Sequence, residues 1–343
     1  NILDLRGSSL NALRPYFWKA RAYRDGGWDT EWSSVAEFVP WYPYTWSHPA
    51  TFPYSACSLD GTIRYRFFGG GVEVSVDSGQ TWDLRLSGII AYSTDIATNS
   101  NGTTAITILY NDGSSRMYIS SDTGQTWVEC LSAGVRNWKS VTMNLSGNII
   151  LAADYEGFLY ISKNSGLTWE PQASPGERTW QSVEASNDGR ILVATDEVGK
   201  LFVSKNYGND WNRCEPVTDD VYWGEANSRC NSEGSHIVHI RGLDYAYQSY
   251  DYGNTWKRIT APGARYWETV AMNSDGSIIA LGCVLADDKK SLWLSIDSGR
   301  TWNFVSLAEP GYDYCIAVYL FDSGRKIIAN MNSATWEGTM LSW

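Results

Sequence analysis

Apolar residues fall along this chain in short runs, such as Ile149-Ile150-Leu151-Ala152, Phe158-Leu159-Tyr160-Ile161 and Ile191-Leu192-Val193-Ala194, with polar clusters between them. No long stretch keeps the period of an amphipathic helix, and Gly, Asn, Asp and Ser bound the runs. This pattern predicts short strands joined by tight turns, an all-β chain. From residue 54 onward the same four steps repeat. A first strand opens on an aromatic residue: Tyr54, Tyr92, Trp138, Trp180, Trp223, Trp267 and Tyr314. A polar turn with glycine follows: Asp60-Gly61, Asn101-Gly102, Ser146-Gly147, Asp188-Gly189, Glu233-Gly234, Asp275-Gly276 and Ser323-Gly324. Glycine supplies the positive φ that such hairpins demand. An apolar second strand, a loop and a third strand come next, then a second turn and a last strand.

The second turn is an eight-residue pattern, Ser-x-Asp-x-Gly-x-Thr-Trp, first met at Ser75 to Trp82. It returns at Ser120 to Trp127, Ser162 to Trp169, Ser204 to Trp211, Ser249 to Trp256 and Ser295 to Trp302. The closing tryptophans are 45, 42, 42, 45 and 46 residues apart, a period that predicts a propeller array of four-stranded blades. At the third position stand Asp77, Asp122, Asn164, Asn206, Asp251 and Asp297. A carboxylate there accepts backbone N–H bonds, glycine takes the positive φ, threonine bonds across the hairpin and tryptophan packs beneath it. Asn in two copies keeps the acceptor and drops the charge, which suits a structural staple better than a catalytic acid.

The aromatic and the glycine turn occur seven times, the eight-residue turn six. The seventh unit runs through Tyr314, Gly324, Ile327-Ile328 and Met340-Leu341 and lacks its own fourth strand. The first fifty residues hold Trp18, Trp28, Trp32, Trp41 and Trp46 and are the least repeat-like part. Within them Arg24 to Val35 looks like an eroded copy of the turn followed by a strand. The expectation is one domain over residues 1–343: a seven-bladed propeller with repeats from about 51 to 343, its last blade closed by residues 1–50.

Composition narrows the function. The chain carries 27 basic and 38 acidic residues, a net charge of -11, which argues against a nucleic-acid or anionic-membrane partner. No apolar run reaches the ~18 residues of a membrane helix, so no membrane insertion is expected. The chain opens on Asn1 with no charged-then-apolar leader, so an export signal would already have been removed. Six scattered cysteines without a C-x-x-C pair disfavour zinc and leave buried thiols or disulfides open. His236 and His239, three apart on one strand, would point to opposite faces, which disfavours a metal site. Asn101-Gly102-Thr103 and Asn144-Leu145-Ser146 fit the N-glycosylation pattern. With no phosphate loop, dinucleotide fingerprint or Ser-His-Asp set, no cofactor is expected.

The eight-residue turn resembles the Asp-box, or bacterial neuraminidase repeat, and the resemblance covers nearly the whole chain. It implies a β-propeller whose boxes are structural and lie away from the active site, and it tilts localisation towards extracellular or secreted. Asp-box propellers include sialidases, xyloglucanase-type glycoside hydrolases, sortilin-type receptors, a photosystem II assembly factor and carbohydrate-binding proteins, so the fold does not choose a function. A sialidase would show Arg-Ile-Pro near its start, and Leu13-Arg14-Pro15 departs from that. Xyloglucanase-type enzymes work in a cleft between two propellers, which a single propeller could form only with a partner.

In a four-stranded blade the two turns share one face, while the second-to-third-strand loops and the crossovers share the other. The site is expected on the crossover face. There stand Tyr54, Tyr92, Trp138, Trp180, Trp223, Trp267 and Tyr314, with Arg136, Arg178 and Arg265 two residues before three of them. The loops add Asp154, Glu156, Asp196, Glu197, Asp244, Asp287 and Asp288. The rings could stack on sugars while the arginines fork onto hydroxyls or carboxylates, or they could be packing wedges between sheets. Surplus aromatics, Tyr222, Tyr266 and Tyr312 among them, favour an interaction surface. The resulting expectation is a non-enzymatic, lectin-like module with several weak sites for a glycan or glycoconjugate and no catalytic residue. A glycoside hydrolase and a scaffold for a protein partner are the alternatives.

Overall fold

The structure is a computed structural model that describes residues 16–18, 23–24, 27–28, 36–38, 44–47, 56–68, 70–87, 92–111, 113–214, 226–284, 292–305, 315–321, 326–331 and 335–340. The chain divides into two compact units, Asn1–Thr45 with Thr339–Trp343, and Trp46–Gly338. In the smaller unit Tyr16–Trp18 pairs antiparallel with Ala36–Phe38, and Tyr23–Arg24 with Gly27–Trp28. Most of the expected eroded turn between Arg24 and Val35 lies outside the described residues.

The larger unit is built of consecutive antiparallel sheets. The first runs Ala56–Cys57, Arg64–Phe68, Gly71–Ser75, Asp83–Leu86, and the second Tyr92–Thr98, Ala105–Asn111, Ser114–Ser120, Val128–Glu129. The third runs Trp138–Met143, Ile150–Gly157, Leu159–Ser162, Glu170–Gln172, and the fourth Arg178–Ala185, Leu192–Asp196, Leu201–Ser204, Asn212–Cys214. The fifth holds Ala226–Cys230, Ile237–Arg241, Ala246–Ser249, Lys257–Ile259, and the sixth Tyr266–Met272, Ile279–Val284, Leu292–Ser295, Asn303–Phe304. Cys315–Phe321, Lys326–Met331 and Thr335–Met340 follow in a further sheet. Among the described residues there is no α-helix, only the 3-10 turn Leu131–Ala133.

Both predicted turn families form as their residues dictate. Gly61, Gly102, Gly147, Gly189, Gly234 and Gly276 take φ between 70 and 75°. The eight-residue turns place two positive φ values in succession, Ser78 at 63° and Gly79 at 88° in the first copy. There Ser75 Oγ donates to Asp77 Oδ1 (2.8 Å) and accepts the Gly79 N–H (2.8 Å). Thr81 donates its N–H to Oδ1 (2.9 Å) and its hydroxyl to Oδ2 (2.6 Å), and Trp82 Nε1 reaches Gly79 O (3.0 Å). In the fourth copy the Asn206 amide donates to Asp210 Oδ2 (2.7 Å), so the two exchanged residues preserve the cross-turn bond with donor and acceptor reversed.

A second repeated staple was not read from the sequence. Asn99, Asn144, Asn231 and Asn273 each accept, on Oδ1, the N–H five residues later (2.8–3.0 Å), and Ser58 and Ser186 do the same through Oγ. These turns are threaded together by backbone bonds from sheet to sheet: Leu59 N–H to Ser100 O, Ser100 to Leu145, Leu145 to Asn187, Asn187 to Ser232 and Ser232 to Ser274, at 2.7–3.0 Å. Between consecutive sheets lie the hydrophobic cores, each drawing residues from two neighbours; one joins Ile106, Ile108 and Met117 of the second sheet to Trp138, Val141 and Ile150 of the third. All six cysteines are free thiols, five of them buried.

Candidate functional site

The crossover end holds a repeated arginine-tryptophan unit. Trp138 is 1% exposed, and Trp180 and Trp267 are fully buried, each packed into the core shared with the preceding sheet. Trp138 meets Tyr160 edge-on at 5.2 Å, and Trp180 meets Phe202 at 5.4 Å. These three rings are wedges and offer no open face to a sugar. The backbone of each preceding arginine ties its strand to the sheet before: Ser115 exchanges bonds with Arg136 (2.7 and 3.2 Å), Arg178 stands in register with Gly157, and Arg265 N–H reaches Asp244 O (3.0 Å). The guanidinium groups then fold over third-strand rings, Arg136 over Tyr160 at 4.3 Å, Arg178 over Phe202 at 4.6 Å and Arg265 over Trp293 at 5.1 Å.

The loop acids are committed as well. Asp154 sits 3.8 Å from Arg136 and accepts the Asn137 N–H, and Asp196 sits 3.4 Å from Arg178 and accepts the Lys200 N–H (2.7 Å). Glu197 accepts the Tyr155 hydroxyl, and Asp244 holds Arg241 at 2.6 Å. Glu156 occupies a positive φ of 64°. Tyr54, Trp223, Tyr314, Tyr222, Tyr312, Asp287 and Asp288 lie outside the described residues, and only the backbone of Tyr92 is described. The structure therefore gathers the arginines, their tryptophans and two of the acids into three equivalent clamps between sheets.

The opposite, turn end carries open space that the sequence did not mark. First strands and turns of five sheets converge on a cavity of about 430 Å³. Its walls include Cys57 and Leu59 from the first sheet, Glu184, Ala185 and Asn187 from the fourth, Cys230 and Ser232 from the fifth, Met272 and Ser274 from the sixth, and Leu320. A second cavity of about 350 Å³ shares Asn187 and Ser232 and adds Asp188, Arg190, Glu233 and Tyr252, so a groove leads outward between the fourth and fifth sheets.

The one charged residue lining the cavity is Glu184, and Arg229 and Asp95 lie behind it. Glu184 Oε2 lies 3.2 Å from Arg229 Nη1, which also donates to Asn227 Oδ1 (3.2 Å) and Ser228 O (3.1 Å). Burial pushes the Glu184 carboxyl up to about 7 against the pull of Arg229, with the Asp95 charge adding to the rise. Asp95 is raised by its own burial and accepts Ser140 Oγ–H (2.8 Å), Val141 N–H (2.9 Å) and Ile96 N–H (2.8 Å). Burial lifts Cys57 and Tyr319 to about 12 and Cys230 well above its usual range, so these stay neutral.

A further buried set joins the fourth and fifth sheets: Thr195 Oγ1, Ser228 Oγ and His239 Nδ1 are linked at 3.0 Å each. Burial depresses the His239 imidazole to about 4. His239 is fully enclosed, so this Ser-His contact is a packing network without access for a substrate. Among the described residues no group of three His, Cys, Asp or Glu side chains could hold a metal ion.

No protein-family model and no curated protein matches the chain. Solved structures do. YCF48 bound to a D1 peptide superposes with a TM-score of 0.65 at 15% identity over 89% of this chain and 99% of its own. YCF48 from Cyanidioschyzon merolae gives 0.65 at 15% over 85% and 98%. The GH74 enzyme of Niastella koreensis gives 0.63 at 15% over 82% of this chain and 53% of the enzyme, and the GH74 xyloglucanase of Xanthomonas campestris 0.63 at 13% over 86% and 53%. The chain has a β-propeller fold. It spans about half the length of the GH74 enzymes and nearly the whole of YCF48. The arginine clamps sit at the crossover ends of the first strands, and the cavity lies where their turn ends converge.

Proposed function

We propose that this protein is a non-catalytic, seven-bladed Asp-box propeller that binds an extended segment of a partner polypeptide at the turn end of its channel. The observation that carries the proposal is the cavity and its outward groove, whose edge is formed by Asn187, Ser232 and Ser274. These occupy the same turn position in three successive blades, and their backbones carry the inter-blade thread while their side chains take no part in it. A groove of amide and hydroxyl groups beside an apolar wall suits a peptide, which presents both backbone and side chains. The likeness to YCF48, solved with a D1 peptide, supports the same reading. The glycan reading has lost Trp138, Trp180 and Trp267 to the cores.

Closure of a seventh blade by the N-terminal segment belongs to this proposal. One observation supports closure of the ring: Cys57 and Trp82 of the first blade share a hydrophobic cluster with Tyr319. Export rests on the Asp-box character alone.

The test is a peptide array and a glycan array probed with the intact protein. Signals on peptides are expected. Signals on glycans alone would restore the lectin reading, and silence on both would remove the binding proposal. One observation favours a hydrolase as second reading: Glu184, raised to about 7, has the Asp95 carboxyl acting on it in the same channel. Because Asp95 is spent on three structural hydrogen bonds, our account expects no turnover of a polysaccharide panel. Hydrolysis that disappears in Glu184→Gln would reverse that conclusion.

A further inference from the structure

We infer that the turn-end cavity captures a primary ammonium group, carried by a lysine side chain or a chain N-terminus, with the Glu184 carboxylate as its counter-ion. The inference rests on the polypeptide-binding reading and names the chemistry that anchors the partner.

Three observations converge. First, Glu184 is the one charged side chain among the residues lining the cavity, while Cys57 and Cys230 beside it are held neutral by burial. A low-dielectric cavity whose one charged lining group is an acid favours a cation. Second, the partners are distributed unequally. Arg229 Nη1 is shared among Glu184, Asn227 and Ser228, and Arg229 is not among the residues lining the cavity, so an anion there would meet the Glu184 carboxyl first. Glu184 meets Arg229 through Oε2 only, and its side chain remains 22% exposed on the cavity wall. Third, the wall has the form of a lysine. Leu59, Met272 and Leu320 supply apolar surface for an aliphatic stem, and Asn187, Ser232 and Ser274 supply oxygens at the rim for the ammonium's remaining donors or the backbone that follows. A guanidinium would bring a planar fork, and no second carboxylate lines the cavity to meet it.

The pH dependence follows from the same groups. Arg229 and Asp95 face Glu184, and Asp188 stands behind Cys230. As pH rises through about 7, Glu184 loses its proton and capture strengthens. It weakens again when the amine itself deprotonates, near pH ~10 for a lysine side chain and near pH ~8 for a chain N-terminus.

The test uses the full chain labelled with ¹³C-methyl methionine and follows the Met272 signal. Nα-acetyl-lysine N-methylamide is expected to shift it saturably at millimolar concentration at pH 8, a weak single-residue affinity. The norleucine analogue, with the same stem and no amine, is expected to leave it unmoved. Leucine N-methylamide, with a free α-amine only, separates the two sources: a shift assigns the site to N-termini as well, and none restricts it to lysine. Glu184→Gln should weaken the lysine probe at least tenfold while the remaining methyl signals stay unchanged, and Ser232→Trp should block the probe sterically. Equal shifts from the lysine and norleucine probes, or no shift from the lysine probe, overturn the inference. The array separates this failure from failure of the wider reading. Peptides that bind equally with lysine or norleucine leave polypeptide binding standing and remove the ammonium anchor. A silent array with a positive Met272 shift keeps the anchor and removes the polypeptide partner.

Discussion

At the scale of residues the fold is held by small polar side chains that are each used twice. Ser249 Oγ donates to Asp251 Oδ1 (2.8 Å) and accepts the buried Gly253 N–H (2.9 Å). Ser249→Ala leaves that N–H without a partner and should cost about 1–3 kcal/mol in urea unfolding. Asp251→Asn keeps the acceptor, as Asn164 and Asn206 do natively, and should stay within about 0.5 kcal/mol. Two buried titrating groups tilt stability with pH in opposite senses. His239 has a folded pKa of about 4 against 6.5 unfolded, so the unfolded chain binds the proton first and stability falls as pH drops from about 6.5 towards 4. The loss is of the order of 3 kcal/mol and should vanish in His239→Gln. Glu184 has its folded value raised to about 7, so the native state holds the extra proton between about 4.5 and 7 and stability falls as pH rises through that window. Unfolding midpoints of Glu184→Gln should lack that slope. The Asp/Asn exchange was legible in the sequence because both residues offer the same acceptor. The Asn99, Asn144, Asn231 and Asn273 staple was not, because asparagine is common in any turn and its bond to a residue five positions on leaves no distinctive spacing.

At the scale of elements, each first turn packs against the blade before it. A Cβ on Gly234, at φ 71°, would lie 2.5 Å from Ile191 Cβ, and one on Gly102 would lie 2.7 Å from Ile63 Cβ. Gly234→Ala adds overpacking to backbone strain and should cost about 2–4 kcal/mol. Gly263→Ala, at φ 80° with open space around it, should cost only about 1 kcal/mol. The tryptophan wedges give the larger number: Trp180→Ala empties a core site against Phe202 and should lose about 3–5 kcal/mol. Strands and turns were legible because the short apolar runs and the glycine positions are local signals. The burial of Trp138, Trp180 and Trp267 was not, because what covers each ring comes from a third strand and from the preceding sheet. The arginine two residues before each ring suggested a sugar fork. Its partners, Tyr160, Phe202 and Trp293, come from strands further along the chain.

At the scale of the whole molecule, the repeat period announced a propeller, and the solved propellers it superposes on agree. The end at which the proposed binding lies was harder to read. The eight-residue turns drew expectation away from their own face, yet the cavity opens there because Asn187, Ser232 and Ser274 are short polar residues that leave room above Glu184. Such residues carry no motif. The proposed function stands on that opening, and one measurement addresses it most directly: a peptide array probed side by side with the native protein and with Ser232→Trp, whose indole would fill the junction of the two cavities without touching an inter-blade hydrogen bond. The account predicts peptide signals for the native protein that are lost in the variant at an unchanged melting temperature. Signals that survive the plug would place binding elsewhere on the propeller and contradict it.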